Sequence, residues 1–206
     1  MISNINPTRM ELLRLKKRLL LAQRGHRLLK DKRDELMRQL IGMIDEVKTL
    51  RLLIEKEFHT ILEGFMLAKA KMGPYQTEQA LWFPKKKISV DITEKNLMSV
   101  KVPIFKKEIT GTILPYGFLN TSGEMDISLI KFEKFIESLL ILAEKEKTIQ
   151  LLATEIQETR RRVNALEYRL IPEFEETIKA ISMKLTETER SNTIRLMKVK
   201  ELIRSH

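Results

Sequence analysis

The chain contains no cysteine, which removes disulfides, thiol nucleophiles and cysteine-ligated metals together. Histidine is almost as scarce: His26, His59 and His206 are the only three in 206 residues, and no two share metal-ligand spacing. Glycine (7) and proline (6) are few, and aromatic residues make up 6% of the chain, a composition that fits long helices better than a compact globule. No apolar run approaches the ~18 residues of a membrane-spanning helix. The opening Met1-Ile2-Ser3-Asn4 lacks the apolar stretch of a signal peptide. Phosphate-binding glycine loops and the nucleophile elbow are missing as well. No catalytic residue, cofactor or metal is therefore expected.

Charge and periodicity are what the chain has in abundance. Charged residues make up 32% and the net charge is +10. Between Arg9 and Arg33 ten Lys or Arg face two acids, and from Lys184 to His206 six face three. The positive excess thus sits toward both chain ends, where it would attract nucleic acid, anionic lipid or an acidic protein surface.

The periodicity is a heptad seam. Alternate steps of three and four from Leu12 give Leu15, Leu19, Ala22, His26, Leu29, Arg33, Leu36, Leu40, Met43, Val47, Leu50 and Ile54, and Ile61 and Ala68 extend the row. A spacing of 3.5 residues keeps one face toward a single partner helix and imposes a left-handed supercoil. Asn6 or Thr8 can cap this helix, Thr8-x-x-Glu11 has capping-box spacing, and Gly73-Pro74 ends it near Met72. The ~60 residues between would span roughly 90 Å. Gly25, Gly42 and Gly64 are costly inside a helix. Close approach of another chain would compensate.

The partner lies at the other end of the same chain. A second seam runs from Phe132 through Phe135 or Ile136, Leu139, Leu142, Ile149, Leu152, Ile156, Thr159, Val163, Leu166 and Leu170. It continues with Phe174, Ile178, Ile181, Leu185, Thr188, Asn192, Val199 and Ile203. Its helix is expected to start near Asp126, capped by Asp126 or Ser128. It should kink near Pro172, where the seam slips and a backbone bond is lost. The fold class is thus all-α dominated: a long antiparallel two-helix left-handed coiled coil from residues 1–72 and 127–206, with a small β-containing region at 73–126. In that middle region Thr77 to Leu81 suggests a short helix. Ile88–Ile92 and Met98–Val102 alternate as strands of a hairpin over about 87–103, with Thr93–Asn96 as its loop. Thr110 to Gly123 reads as loop or weak strand. Trp82 and Phe83, beside Pro84, should bury the foot of the hairpin, and Phe58, Phe65 and Phe132 should gather at the same end as a small core or a docking surface.

Antiparallel pairing from a shared end places opposite each other residues whose numbers sum to about 199. Arg33 would then meet Glu167, His26 would lie near Phe174, and Ile194, Leu196, Met197, Val199, Leu202 and Ile203 would extend past the first helix. An apolar stripe there needs a protein partner. His26, Arg33 and Glu167 are the candidate register residues, since polar groups on a seam fix alignment. Glu173, Glu175 and Glu176 read as a solvated face. Arg160-Arg161-Arg162 is the densest basic run; such a run is ordinarily solvated, and contact with an acidic protein loop is its functional reading.

The motifs at the two ends resemble one known family. Asn6-Pro7-Thr8-Arg9, Leu15-Lys16, Arg18-Leu19, Arg24-Gly25-His26, Leu28-Leu29-Lys30 and Lys32-Arg33-Asp34 resemble the opening of the D subunit of the rotary V-type and A-type ATPases. Thr159 through Glu167, Ile171-Pro172 and Glu187 through Arg195 resemble its closing signature. The resemblance implies a non-catalytic central-stalk axle that couples ATP hydrolysis or synthesis in a head of A and B subunits to proton or sodium transport. It implies the F subunit and a funnel-shaped adaptor (C or d) as further partners, no nucleic acid and no insertion into the membrane. It places the chain peripherally, on the cytoplasmic side. Arg9, Lys16, Arg160, Arg161, Arg162, Leu196, Met197 and Ile203 are the candidate contacts to the surrounding ring. From the residues alone, a free-standing coiled-coil scaffold, a prefoldin-like chaperone and a basic nucleic-acid-binding rod remain open; the last predicts steeply salt-dependent binding.

Overall fold

The computed structural model describes residues 6–82, 84–114, 116–117 and 121–204. Its elements are α1 (Arg9–Met72), α2 (Pro74–Leu81), β1 (Lys87–Leu97), β2 (Val100–Thr110), α3 (Gly123–Ala165), a π-helical turn (Leu166–Leu170) and α4 (Ile171–Arg204). The architecture is the all-α-dominated one that the periodicity predicts, with long N- and C-terminal helical segments packed together and a two-stranded antiparallel sheet from the middle of the chain.

Local chemistry accounts for the ends of α1. The Thr8 hydroxyl accepts the Glu11 amide at 3.3 Å, so Thr8 rather than Asn6 is the cap. Half of the capping box forms: the Thr8 amide bonds to the Asn6 carbonyl, and Glu11 reaches Arg14 instead. At the far end Gly73 adopts φ 84° and its amide closes on the Lys69 carbonyl at 2.9 Å. A side chain there would be strained, and Pro74 then opens α2.

Every residue of the expected α1 seam, from Leu12 to Ala68, is buried or half-buried. Leu13, Leu21 and Leu28, off the seam, are exposed. The contacts divide the chain into two compact units. One comprises Met1–Glu35 with Ile156–His206, the other Leu36–Glu155. In the first, Arg9 pairs with Glu189, and Leu15, Ile156, Thr159, Val163, Thr177 and Ile181 are buried. In the second, Lys145 pairs with Glu46, Arg51 with Glu146 and Lys71 with Glu124. Its core is Ile54, Ile61, Phe135 and Leu142, flanked by Val47 and Leu50. Phe135 stacks on Phe58 and on Phe132 with centroids 5.2 and 6.0 Å apart.

The structure corrects several expectations. Glu167 does not meet Arg33: it lies 3.4 Å from His26 Nε2, and the Arg33 guanidinium turns to its neighbour Asp34 at 2.7 Å. Arg9–Glu189, Arg51–Glu146, Lys71–Glu124 and Glu46–Lys145 sum to between 191 and 198, close to the expected antiparallel alignment. The disturbance expected at Pro172 takes the form of the π turn just before it. The Ile171 amide reaches back to Leu166, five residues away, one step further than in an α-helix. α3 starts at Gly123, not near Asp126. Asp126 therefore falls in the first turn, where its charge suits the helix dipole. The Ser128 hydroxyl donates to the Glu124 carbonyl within the helix and caps nothing.

The hairpin is longer than expected, and its turn lies elsewhere. Thr93–Asn96 belongs to β1, and the chain reverses at Met98-Ser99, between Leu97 and Val100. Both turn residues have positive φ (50° and 71°), the geometry of a two-residue type I′ turn. The sequence carries no glycine or asparagine there, so the turn signal was missing. Register counted from this turn places Pro103 at a position whose amide would face away from β1, which is why a proline is tolerated mid-strand. Trp82 does not bury the hairpin foot; it is 64% exposed, and Phe83 lies outside the described residues.

Candidate functional site

The exposed surface of the first unit holds the candidate contacts. The stripe buried at Thr177 and Ile181 weakens at Leu185, and from Thr186 to Arg204 every residue is exposed. Leu196, Met197 and Ile203 are 70%, 59% and 73% exposed. Leu196, Val199 and Ile203 continue the direction of the seam at steps of three and four, so a helix face built for burial runs on uncovered among the described residues. Met197 faces the other way.

Arg160, Arg161 and Arg162 follow the buried Thr159 and precede the buried Val163. At about 100° per residue the three arginines fan round the outer side of α3 rather than forming one patch. Arg161 points most directly away from the seam, and Arg162 is tied to Glu158 at 3.1 Å. Lys16 is exposed one residue beyond the buried Leu15. Arg9 is exposed too, although it pairs with Glu189. The structure therefore brings together Arg9 with Glu189 and His26 with Glu167. Leu196 and Ile203 share one exposed face of α4, Met197 lies on another side of that helix, and Lys16 is on α1.

Sequence reasoning missed a second apolar row on α1. Met10 (83% exposed), Leu13 (58%), Leu20 (49%), Leu21 (71%) and Leu28 (69%) lie opposite the seam. Arg14, Lys17 and Arg24 are interleaved with them. Met10, Leu13, Arg14 and Lys17, with Glu11, line a shallow groove of about 430 Å³. The signal was present as leucines seven and eight apart from position 13, but the stronger seam masked it. A helix apolar on two faces is one that two neighbours cover.

The second unit carries an apolar groove of about 270 Å³ lined by Phe58, Ile61, Leu62, Phe65, Leu81, Leu129 and Phe132. The three phenylalanines expected to gather do so here. Beside it, Tyr116 donates to Asp126 at 2.6 Å; burial first, and that carboxylate second, push its phenol above the ordinary value of 10. Hydrogen bonding from Lys71 holds Glu124 below the usual carboxylate range. Among the described residues no cluster of His, Asp and Glu is arranged to hold a metal, and no helix is long and apolar enough to cross a membrane.

Comparison with known proteins assigns this arrangement. The model of the family described as the ATP synthase D subunit matches residues 11–201. The chain is 55% identical over 202 residues to the V-type ATP synthase D subunit of Fusobacterium nucleatum subsp. nucleatum, covering 97% of this chain and 96% of that one. It is 54% identical over 205 residues to the V-type ATP synthase D subunit of Clostridium botulinum (strain ATCC 19397 / Type A), covering 97% and 95%. A match that takes in both long helical segments and the hairpin between them shows that the chain belongs to the family of ATP synthase D subunits.

Proposed function

We propose that the chain is the central-stalk axle of a V-type rotary ATPase, turning within a head of A and B subunits and coupling ATP turnover there to ion movement. The family makes it one component of the complex rather than the ATPase itself. The observation that carries the axle reading is the uncovered seam of α4 from Thr186 to Arg204 together with the apolar and basic outer face of α1. Both lie in the unit built from the two chain ends. A surrounding ring would cover both, with Arg9, Lys16, Arg160, Arg161 and Arg162 meeting acidic loops and Leu196, Met197 and Ile203 meeting apolar ones. Because the arginines fan round α3, each rotation angle turns a different face toward a given position on the ring. Differential contact of that kind biases the sites toward different affinities.

The second unit, with its apolar groove, is the candidate end for the F subunit and the adaptor (C or d). The chain would then sit peripherally on the cytoplasmic side. The test is an assembled, membrane-reconstituted complex carrying Arg160→Gln, Arg161→Gln and Arg162→Gln together. ATP-driven ion transport should fall relative to hydrolysis. An unchanged transport-to-hydrolysis ratio removes the triplet from the coupling surface. Leu196→Asp with Ile203→Asp should weaken recovery of the chain with the A and B subunits, and full recovery would overturn the axle reading.

A further inference from the structure

The hairpin is not part of the helical core. It is fastened to α3 by a row of carboxylates. Lys86, only 13% exposed, pairs with Glu133. Lys107 Nζ lies 2.6 Å from Glu137. The Phe105 amide donates to Glu144 Oε2 at 2.8 Å. Glu133, Glu137 and Glu144 fall within about 40° of one another on the helix surface. Each is two residues from Phe135 or Leu142, so the row lies on the side of α3 away from the core. The buried apolar contact is concentrated near the turn. β1 has no buried residue, and in β2 only Val100 and Val102 are buried.

The two ends of the hairpin pack against each other, so the two strands are tied into one unit. Gly111 follows β2 with φ 94°, packed so closely on the Lys85 carbonyl that no side chain fits. It forms one foot, and Pro84–Lys86 forms the other. The outward Phe105 amide is an edge donor that would otherwise face water, and Glu144 covers it with a charge-assisted bond.

We propose that Glu133, Glu137 and Glu144 form an electrostatic latch that holds the hairpin on the back of α3 and releases it as one unit while the helices stay paired. Contacts between charges at a surface weaken as salt screens them, whereas the apolar seam does not. A released hairpin is marginal on its own, so release exposes its ladder amides to solvent.

Native-state hydrogen exchange on the full chain tests this. In the unmodified chain, raising salt from roughly 0.05 M to roughly 1 M should speed exchange at Phe105 and its ladder neighbours about tenfold. Amides of Ile54 and Leu142 should keep their rates. The double variant Glu137→Gln with Glu144→Gln should reach the fast rate already at low salt, with unchanged helix content. The proposal is overturned if the hairpin amides ignore both salt and the double variant. It is equally overturned if they exchange only together with the seam, since the hairpin would then have no opening of its own.

Discussion

The two units of this chain bury their residues differently. Leu36–Glu155 adds to its buried seam a phenylalanine stack, a close helix contact and a carboxylate row, although Leu52, Met66 and Ile141 among others stay exposed. Met1–Glu35 with Ile156–His206 buries one narrow stripe and leaves apolar side chains on two further faces exposed. The two are made from the same pair of helices with the same heptad spacing. Periodicity therefore sets where one helix meets the other, and the residues off the seam set how much each region buries beyond it. The region that buries little beyond the stripe carries the candidate ring contacts, and the other carries the groove proposed for the F subunit and the adaptor.

The largest effect should come from the region that holds the phenylalanine stack. Phe135→Ala removes the centre of the stack and should cost about 3–5 kcal/mol, whereas Leu15→Ala in the thin stripe should cost closer to about 2 kcal/mol. Thermal or denaturant unfolding of both variants measures the gap, and equal losses would erase the contrast. Gly111→Ala comes next. Its positive φ and the Lys85 carbonyl both oppose a methyl, so about 1–3 kcal/mol should be lost, seen as faster exchange in the hairpin with the helical amides unchanged.

Tyr116 gives a pH signature confined to the second unit. Its phenol is held neutral above the ordinary value of 10. The stability this contributes is complete below that value and is lost as pH rises through it toward the folded-state value. Unfolding midpoints should fall at alkaline pH in the parent chain and fall less in Tyr116→Phe.

Smaller shifts separate the glycines. Gly25 and Gly42 meet nothing within 4 Å of an added Cβ, so Gly25→Ala or Gly42→Ala should stabilise by up to about 1 kcal/mol. Gly64→Ala should gain less, because its methyl meets the Ser128 hydroxyl, and should recover the gain when combined with Ser128→Ala. Smallest of all, Leu20→Gln with Leu28→Gln should change the stability of the isolated chain by less than about 0.5 kcal/mol per site. The same pair should weaken assembly with the A and B subunits in a pull-down, which would identify this face as one that other chains cover.

Much of this could be read in the residues. The α1 seam from Leu12 to Ala68, the stop at Gly73-Pro74, the hairpin and the two-helix pairing all follow from rules that act over a few residues. Spacing of 3.5 commits a helix to one partner, a Gly-Pro step stops a helix, and alternation marks a strand. The family resemblance rested on those same helical segments.

Other features depend on residues far apart in the chain. That Glu167 takes His26 and not Arg33, that Gly64 alone among the helical glycines has a close neighbour, and that Glu144 caps a strand amide all depend on the registry of two long helices. A shift of one turn redistributes such side-chain pairs at little cost to the seam, because neighbouring heptads offer similar apolar partners. The sequence pattern determines that the helices pair and along which face; only the packed structure decides which particular side chains meet.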